Sequence, residues 1–260
     1  MNEIVIESAD NNKIKLLRKL NKKKFRNETS QFFIENMVII NDAEEAGIKF
    51  KDLFITEDFL NKNEEWVEKI LNTADINEYY IINQKINNSF SNLDTPPGIC
   101  AIYDKQTNLL DQNDNIIYLN NISDPGNLGT ILRSGLAFGI KNFVLDEKCV
   151  DLYNYKTIQA AKDSILKVNF SFDNNLKVLN DIKSIMKIYS TGMIEGESID
   201  ILKQEEKFCL VLGNESHGVD KEIVDLSNEI VTIGMDGDIE SLNVASAAAI
   251  FFYGIHKQKK

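Results

Sequence analysis

The chain has 260 residues, 43% hydrophobic and 27% charged, values ordinary for one large or two average folded domains and inconsistent with general disorder. A formal net charge of −11 means that any nucleic-acid contact must come from a local basic patch rather than from the protein's overall field. Cys100, Cys149 and Cys209 lie far apart and outside any CxxC pair, and only two histidines accompany them, so neither a disulfide framework nor a metal site is expected.

The chain opens on MNEIVIESAD, acidic and without the apolar stretch of a secretory signal, and no later apolar run approaches a membrane span. A cytoplasmic protein with no membrane partner is expected. Between Lys13 and Arg26 stand eight basic residues and no acid. Ile14, Leu17 and Leu20 recur there at intervals of three, which predicts one amphipathic helix with its cations outside. Such a face is either merely solvated or able to neutralise phosphates; the candidates for RNA contact are Lys13, Arg18, Lys22, Lys23, Lys24 and Arg26. Phe25, inside the same stretch, is a candidate for stacking on a base.

Further along, QFFIE reads as a strand, 36–46 as a helix stopped by Gly47, KDLFIT as a strand and NEEWVEKILN as a helix. EYYII reads as another strand, 84–90 as a short polar helix, and GICAIY, after Pro96-Pro97-Gly98, as a strand. Alternating strands and helices predict an α/β domain over 1–104. The polar run DKQTNLLDQNDN then places a linker at 105–114.

The alternation resumes over 115–260. NIIYLN, KNFVLD, KIYSTG and KFCLVLG read as strands, and 128–138 and 243–256 as helices. Repeated βα units predict a mostly parallel sheet covered on both faces. Three glycine-bearing loops follow predicted strands, where open α/β sheets bind ligands. They are DPGNLGTILRSG, VLGNESHGV and IGMDGDIESLNVASAAA. None is a dinucleotide or phosphate-loop fingerprint.

Taken together and in order, DPGNLGTILRS, LGNESHG and MDGDIESLNVASA resemble the three motifs of the SpoU/TrmH RNA methyltransferases. KIKLLRKLNKKKFR, FFIEN and TPPGICAIY resemble the ribosomal-protein-like α/β substrate-binding domain that many members carry ahead of the catalytic one. The resemblance implies a trefoil-knotted, parallel-sheet α/β catalytic domain, a homodimer, and transfer of a methyl group from S-adenosyl-L-methionine to a ribose 2'-hydroxyl of RNA. It implies that Thr191, Gly192, Gly213, Ile233 and Leu242 hold the cofactor. Asn127, Arg133, Glu215, Ser241 and Asn243 become the catalytic and RNA-facing set. The family proposal makes Arg133 the proton acceptor; a guanidinium normally stays protonated, so a phosphate clamp is the simpler physical role.

The two-domain organisation favours ribosomal RNA over tRNA as substrate, by analogy. The competing reading from another class is a non-catalytic RNA-binding or ribosome-assembly protein with a vestigial pocket. Gly234 stands where the third motif usually has proline, and Ser216 where the second often has glycine. Both departures bear on cofactor affinity. Pro97 and Asn36 are smaller departures in the first domain, and His217 reads as a loop residue.

Overall fold

The computed structural model describes residues 2–74, 76–105, 109–192, 196–236 and 241–258. They separate into two units, Met1–Lys105 with Tyr153–Ile158, and Gln106–Leu152 with Gln159–Lys260.

The first unit runs β1 (Asn2–Ile6), α1 (Asn12–Leu20), α2 (Lys23–Thr29), β2 (Gln31–Ile34), α3 (Met37–Glu45) and β3 (Asp52–Thr56). It continues through α4 (Glu57–Lys62), α5 (Glu64–Thr73), β4 (Glu78–Ile82), α6 (Gln84–Phe90) and β5 (Ile99–Asp104). The strands form one sheet in the order β1-β4-β3-β5-β2. β1, β4 and β3 are parallel, and β5 runs antiparallel to both β3 and β2. Ile14, Leu17 and Leu20 of α1 are buried against Phe33, Phe54, Tyr80 and Phe90. This is the apolar stripe that their spacing predicts.

The single cationic helix expected over this stretch is instead two. α1 starts on Asn11, whose side chain accepts the Lys13 N–H at 2.8 Å. It ends at Asn21, and Lys22 takes an extended conformation before α2 begins. The break turns Arg26 inward. It is buried, and its guanidinium donates to the Leu20 carbonyl at 2.6 Å, which corrects its placement on an exposed cationic face. Lys13 is held by Asp52 at 2.5 Å and lies 4.7 Å over the Tyr80 ring.

From the start of the second unit the chain runs β6 (Ile116–Leu119), α7 (Pro125–Ala137), β7 (Asn142–Asp146), α8 (Tyr155–Ala161, its residues up to Ile158 grouped with the first unit), α9 (Ser164–Lys167), β8 (Asn169–Asp173) and α10 (Lys177–Lys183). Then come β9 (Lys187–Thr191), β10 (Glu197–Ser198), a 3-10 turn (Ile199–Gln204), β11 (Phe208–Leu212), α11 (Lys221–Leu226), β12 (Glu229–Thr232) and α12 (Val244–Gln258). The sheet order is β10-β12-β9-β11-β6-β7-β8, and every pairing is parallel. All residues of β6, β7 and β11 are buried, as strands covered on both faces must be.

β6 leads outward through β7 to β8, whereas β11 inserts between β6 and β9. The loops after β6 and β11 therefore leave neighbouring strands with their connections diverging, the arrangement that opens a crevice at the carboxyl ends. α12 packs on α7, and its Phe252 lies edge-on to Phe143 of β7 at 6.5 Å between ring centres. Among the described residues, no helix is long and apolar enough to cross a membrane.

Candidate functional site

α7 begins at Pro125, three residues earlier than the apolar pattern suggests. Asp124 is its N-cap, accepting the Asn127 N–H at 2.7 Å, and Pro125 fills the first helical position, where its missing N–H costs nothing. Asn127 thus sits in the first turn of the helix. Its side-chain N–H donates to Glu215 Oε1 in the loop after β11. Its side-chain carbonyl accepts from Asn243 Nδ2 at 3.0 Å. Asn243 in turn caps α12, its Oδ1 accepting the Ala245 N–H at 2.9 Å. One chain of amides and a carboxylate thus joins all three glycine-bearing loops.

This chain borders a cleft of about 80 Å³, concave and largely apolar as small-molecule sites are. Thr191, Gly192, Gly213, Ile233 and Leu242 all line it, as do Glu215 and Ser241. Its apolar wall also includes Met235, Val244, Ala247 and Phe251. Gly213 leaves room that no other residue would: a Cβ there would stand 2.3 Å from the Gly218 backbone carbon. Gly218 adopts φ +70, a left-handed turn that returns the loop onto Asn214. The two are bridged by Asn214 N–H to Gly218 O at 3.0 Å and Gly218 N–H to Asn214 O at 2.9 Å. Glycine backbones closely approachable on one side, apolar walls and a few hydroxyl and carboxylate oxygens suit an uncharged purine and an amino-acid tail.

Arg133 is on α7 but outside the amide chain. Six residues beyond Asn127, it stands about 9 Å further along the axis and about 120° around it. It is exposed and makes no hydrogen bond or ion pair among the described residues. His217 is also exposed. Gly237, Asp238, Ile239 and Glu240 of the third motif lie outside the described residues. The three thiols are free and buried, and burial pushes each above its ordinary range, which makes them poor nucleophiles. Among the described residues, no cluster of His, Cys, Asp or Glu is placed to hold a metal ion.

Of the six basic candidates, Lys22, Lys23 and Lys24 stand exposed at the start of α2. Arg18 is half-buried, its guanidinium donating to Ala9 O at 2.8 Å and to Ser89 Oγ. Lys19, exposed, lies 5.5 Å from the centre of the Phe25 ring. Sequence reasoning missed Asn214, Met235 and Phe251 at the cleft. Asn214 had a signal in standing between the loop glycine and the loop carboxylate; the apolar pair had none.

Residues 114–253 match the family model described as the SpoU rRNA Methylase family, and residues 11–101 match the MRM3-like substrate binding domain. The 23S rRNA (guanosine(2553)-2'-O)-methyltransferase RlmP of Bacillus subtilis is 30% identical over 95% of this chain and 97% of its own. Mitochondrial rRNA methyltransferase 3A of Danio rerio is 25% identical, covering 90% of this chain and 65% of its own. The AdoMet-bound rRNA methyltransferase from Sinorhizobium meliloti shares the fold with a TM-score of 0.83 at 23% identity, over 98% of each chain. The SpoU methyltransferase AviRb from Streptomyces viridochromogenes, in complex with AdoMet, does so with a TM-score of 0.84 at 19% identity, over 96% of this chain and 98% of its own. With residues 114–253 matched by that family model and a relative 30% identical over 95% of this chain, the chain belongs to the SpoU rRNA methylase family.

Proposed function

We propose that this protein methylates a ribose 2'-hydroxyl in large-subunit ribosomal RNA, with S-adenosyl-L-methionine as donor. The observation that carries the reading is the Glu215–Asn127–Asn243 chain at the edge of the glycine- and leucine-lined cleft. The name of the Bacillus subtilis relative supports 23S rRNA as the substrate class, and the AdoMet-bound neighbours support the cofactor.

In this reading Gly213, Ile233 and Leu242 hold the adenosine through backbone and apolar contact, and Thr191 and Gly192 close the far side of the cleft. The bound cofactor supplies an electrophilic methyl group whose transfer leaves a neutral thioether. The protein's remaining task is alignment, worth about 7–11 kcal/mol in favourable intramolecular cases, and removal of one hydroxyl proton. Asn127, Glu215 and Asn243 fix one another, so the cleft edge is ordered before substrate arrives. Arg133, unpartnered among the described residues, grips an RNA phosphate with its planar fork. Ser241, at the cleft, faces the ribose.

The first unit carries the RNA, with Lys22, Lys23 and Lys24 as its exposed phosphate contacts. We place the domains at 1–104 and 115–260, joined by 105–114. We also propose a homodimer. Ile250 and Tyr253 of α12 are 43% and 54% exposed, an apolar face of the kind that a second copy covers.

The test is transfer from labelled S-adenosylmethionine to unmodified total RNA, followed by nucleoside mass spectrometry, with Asn243→Ala as comparison. Label recovered as a 2'-O-methyl nucleoside of 23S rRNA, and lost in the variant, is the expected result. A methylated base, or label confined to tRNA, refutes the proposed substrate. A folded protein that binds no cofactor refutes the enzyme reading.

A further inference from the structure

The loops at the carboxyl ends of β6, β7 and β11 are cross-tied by side-chain amides. Asn120 is 1% exposed and uses its whole amide group. Its Nδ2 donates to Asp146 Oδ2 at 2.7 Å and to Asp220 Oδ2 at 3.0 Å, and its Oδ1 accepts the Asp220 N–H at 2.8 Å. Asn121 follows in the left-handed region, at φ 55. Its N–H donates to Asp146 Oδ2 at 3.0 Å and its carbonyl accepts from Asn214 Nδ2 at 2.9 Å. A non-glycine residue persists in that conformation where its neighbours over-determine it, and here both of its peptide groups are held.

Asn214 has two roles that can be separated. Its Oδ1 closes a local turn by accepting the Ser216 N–H at 2.8 Å, while its Nδ2 reaches across to Asn121. The next residue is Glu215, whose Oε1 meets Asn127. Thus the segment leading into α7 is joined to the Glu215 end of the loop after β11 through Asn127 and Asn214, and to the far end of that loop through Asn120 and Asp220.

We infer that Asn214, seated on the carbonyl of Asn121, is a positioning residue for methyl transfer, holding Glu215 where it engages Asn127. This rests on the functional reading above, because the role matters only if Glu215 serves the reaction. A local turn alone would not require the second tie. The cross-loop hydrogen bond fixes the separation of two loops that no regular hydrogen-bond ladder joins beyond Asn120 N–H to Leu212 O at 2.9 Å.

The decisive variant is Asn214→Asp. It is nearly isosteric and keeps the oxygen for Ser216, but sets an oxygen against the Asn121 carbonyl. Methyl transfer to 23S rRNA should show kcat lowered by about tenfold or more with KM for RNA within about threefold, the pattern of lost transition-state alignment. In a Glu215→Ala background the same substitution should cost less than about twofold more, because residues acting as one unit are non-additive. Wild-type kcat in Asn214→Asp, or a full further loss in the Glu215→Ala background, overturns the inference.

Should Asn214→Asp fold poorly, the backbone side is read instead. Asn121→Gly keeps the left-handed carbonyl and should stay within about twofold of wild type, while the β-branched Asn121→Val should lose about tenfold. An equally active Asn121→Val overturns the inference. Wild-type protein that methylates no RNA refutes the functional reading instead. The tie is then judged by hydrogen exchange at the Asn214 and Gly218 amides, expected to quicken about tenfold or more in Asn214→Asp. Unchanged exchange overturns it.

Discussion

Asn127 gives its side-chain N–H to Glu215, a residue 88 positions further along the chain, and takes one from Asn243 with its own carbonyl. A carboxylate, a first-turn residue of α7 and the cap of α12 are thereby made mutually dependent. Removing the middle member leaves Glu215 without its donor and Asn243 without its acceptor. A hydrogen bond to a charged group is worth roughly 1.5–3 kcal/mol, or about 10- to 150-fold in an equilibrium or rate. Asn127→Ala should therefore lower kcat by that range while S-adenosylmethionine affinity changes little, since the five expected cofactor contacts lie elsewhere on the cleft. Kinetics with calorimetry on one preparation check this; a wild-type kcat would remove Asn127 from the catalytic set.

Arg133 differs from that chain in having no partner among the described residues. Its removal should leave the melting temperature unchanged and still abolish most RNA methylation. Arg133→Lys keeps the charge but loses the planar fork, so it should recover only part of the activity. Full activity in Arg133→Ala argues against both the phosphate clamp and the proton acceptor.

Gly234, where the family usually has proline, has open space around it. A Cβ there meets no atom within 4 Å. Its neighbours Ile233 and Met235 both line the cleft, so the freedom of this glycine bears on cofactor binding. Gly234→Ala should leave cofactor affinity unchanged or tighten it by up to about fivefold, the equivalent of the roughly 0.4–1 kcal/mol gained when a compatible glycine is replaced. Calorimetric titration with S-adenosylmethionine decides. Weaker binding would mean that the loop needs its glycine.

The elements that frame the cleft are legible in the sequence because β6, β7 and β11 are apolar on both faces and bounded by polar turns. β1, β8, β10 and β12 are not. β10 has two residues, β12 is four residues beginning with Glu229, and β8 reads Asn-Phe-Ser-Phe-Asp. Short or polar strands of that kind, at or next to a sheet edge, carry little apolar signal. The start of α7 was misplaced because Asp124 and Pro125 mark it with cap chemistry rather than hydrophobic period. Among site residues, the motif-borne ones are visible through resemblance. The cross-loop side-chain partners of Asn120 and Asn214 are 26 to 100 positions away, and no local pattern encodes them.

The basic stretch separates into residues with different roles. Lys22, Lys23 and Lys24 are exposed, whereas Arg26 is buried with its guanidinium on the Leu20 carbonyl. Replacing the three lysines by alanine should weaken RNA binding and lower the dependence of log K on log salt by about 2–3, at roughly 0.7–0.9 per phosphate contact. Arg26→Ala should keep that slope and instead lose about 1.5–3 kcal/mol of stability, the worth of a buried charge-assisted hydrogen bond. Salt-titrated binding and denaturant unfolding of the same variants separate the two; a salt effect confined to Arg26→Ala would reverse the assignment.

Asp220 joins the loop after β11 to the loops after β6 and β7, through Asn120 and Lys148. The Lys148 ammonium at 2.7 Å and then the Asn120 amide hold its carboxyl below the ordinary value of 3.8. The sign of the pH effect follows from that depression. Near pH 3.8 the unfolded chain binds more protons at this residue than the folded one, so stability rises with pH there. The contribution is fully present above the unfolded value and lost as pH falls through the folded one. Asp220→Asn removes the titrating group, so its stability should fall less steeply than that of wild type between pH 5 and pH 2, roughly the window in which a depressed carboxylate titrates. Urea unfolding across that range measures it. Parallel curves would mean that Asp220 titrates alike in both states, and that Lys148 contributes no more than an exposed ion pair does.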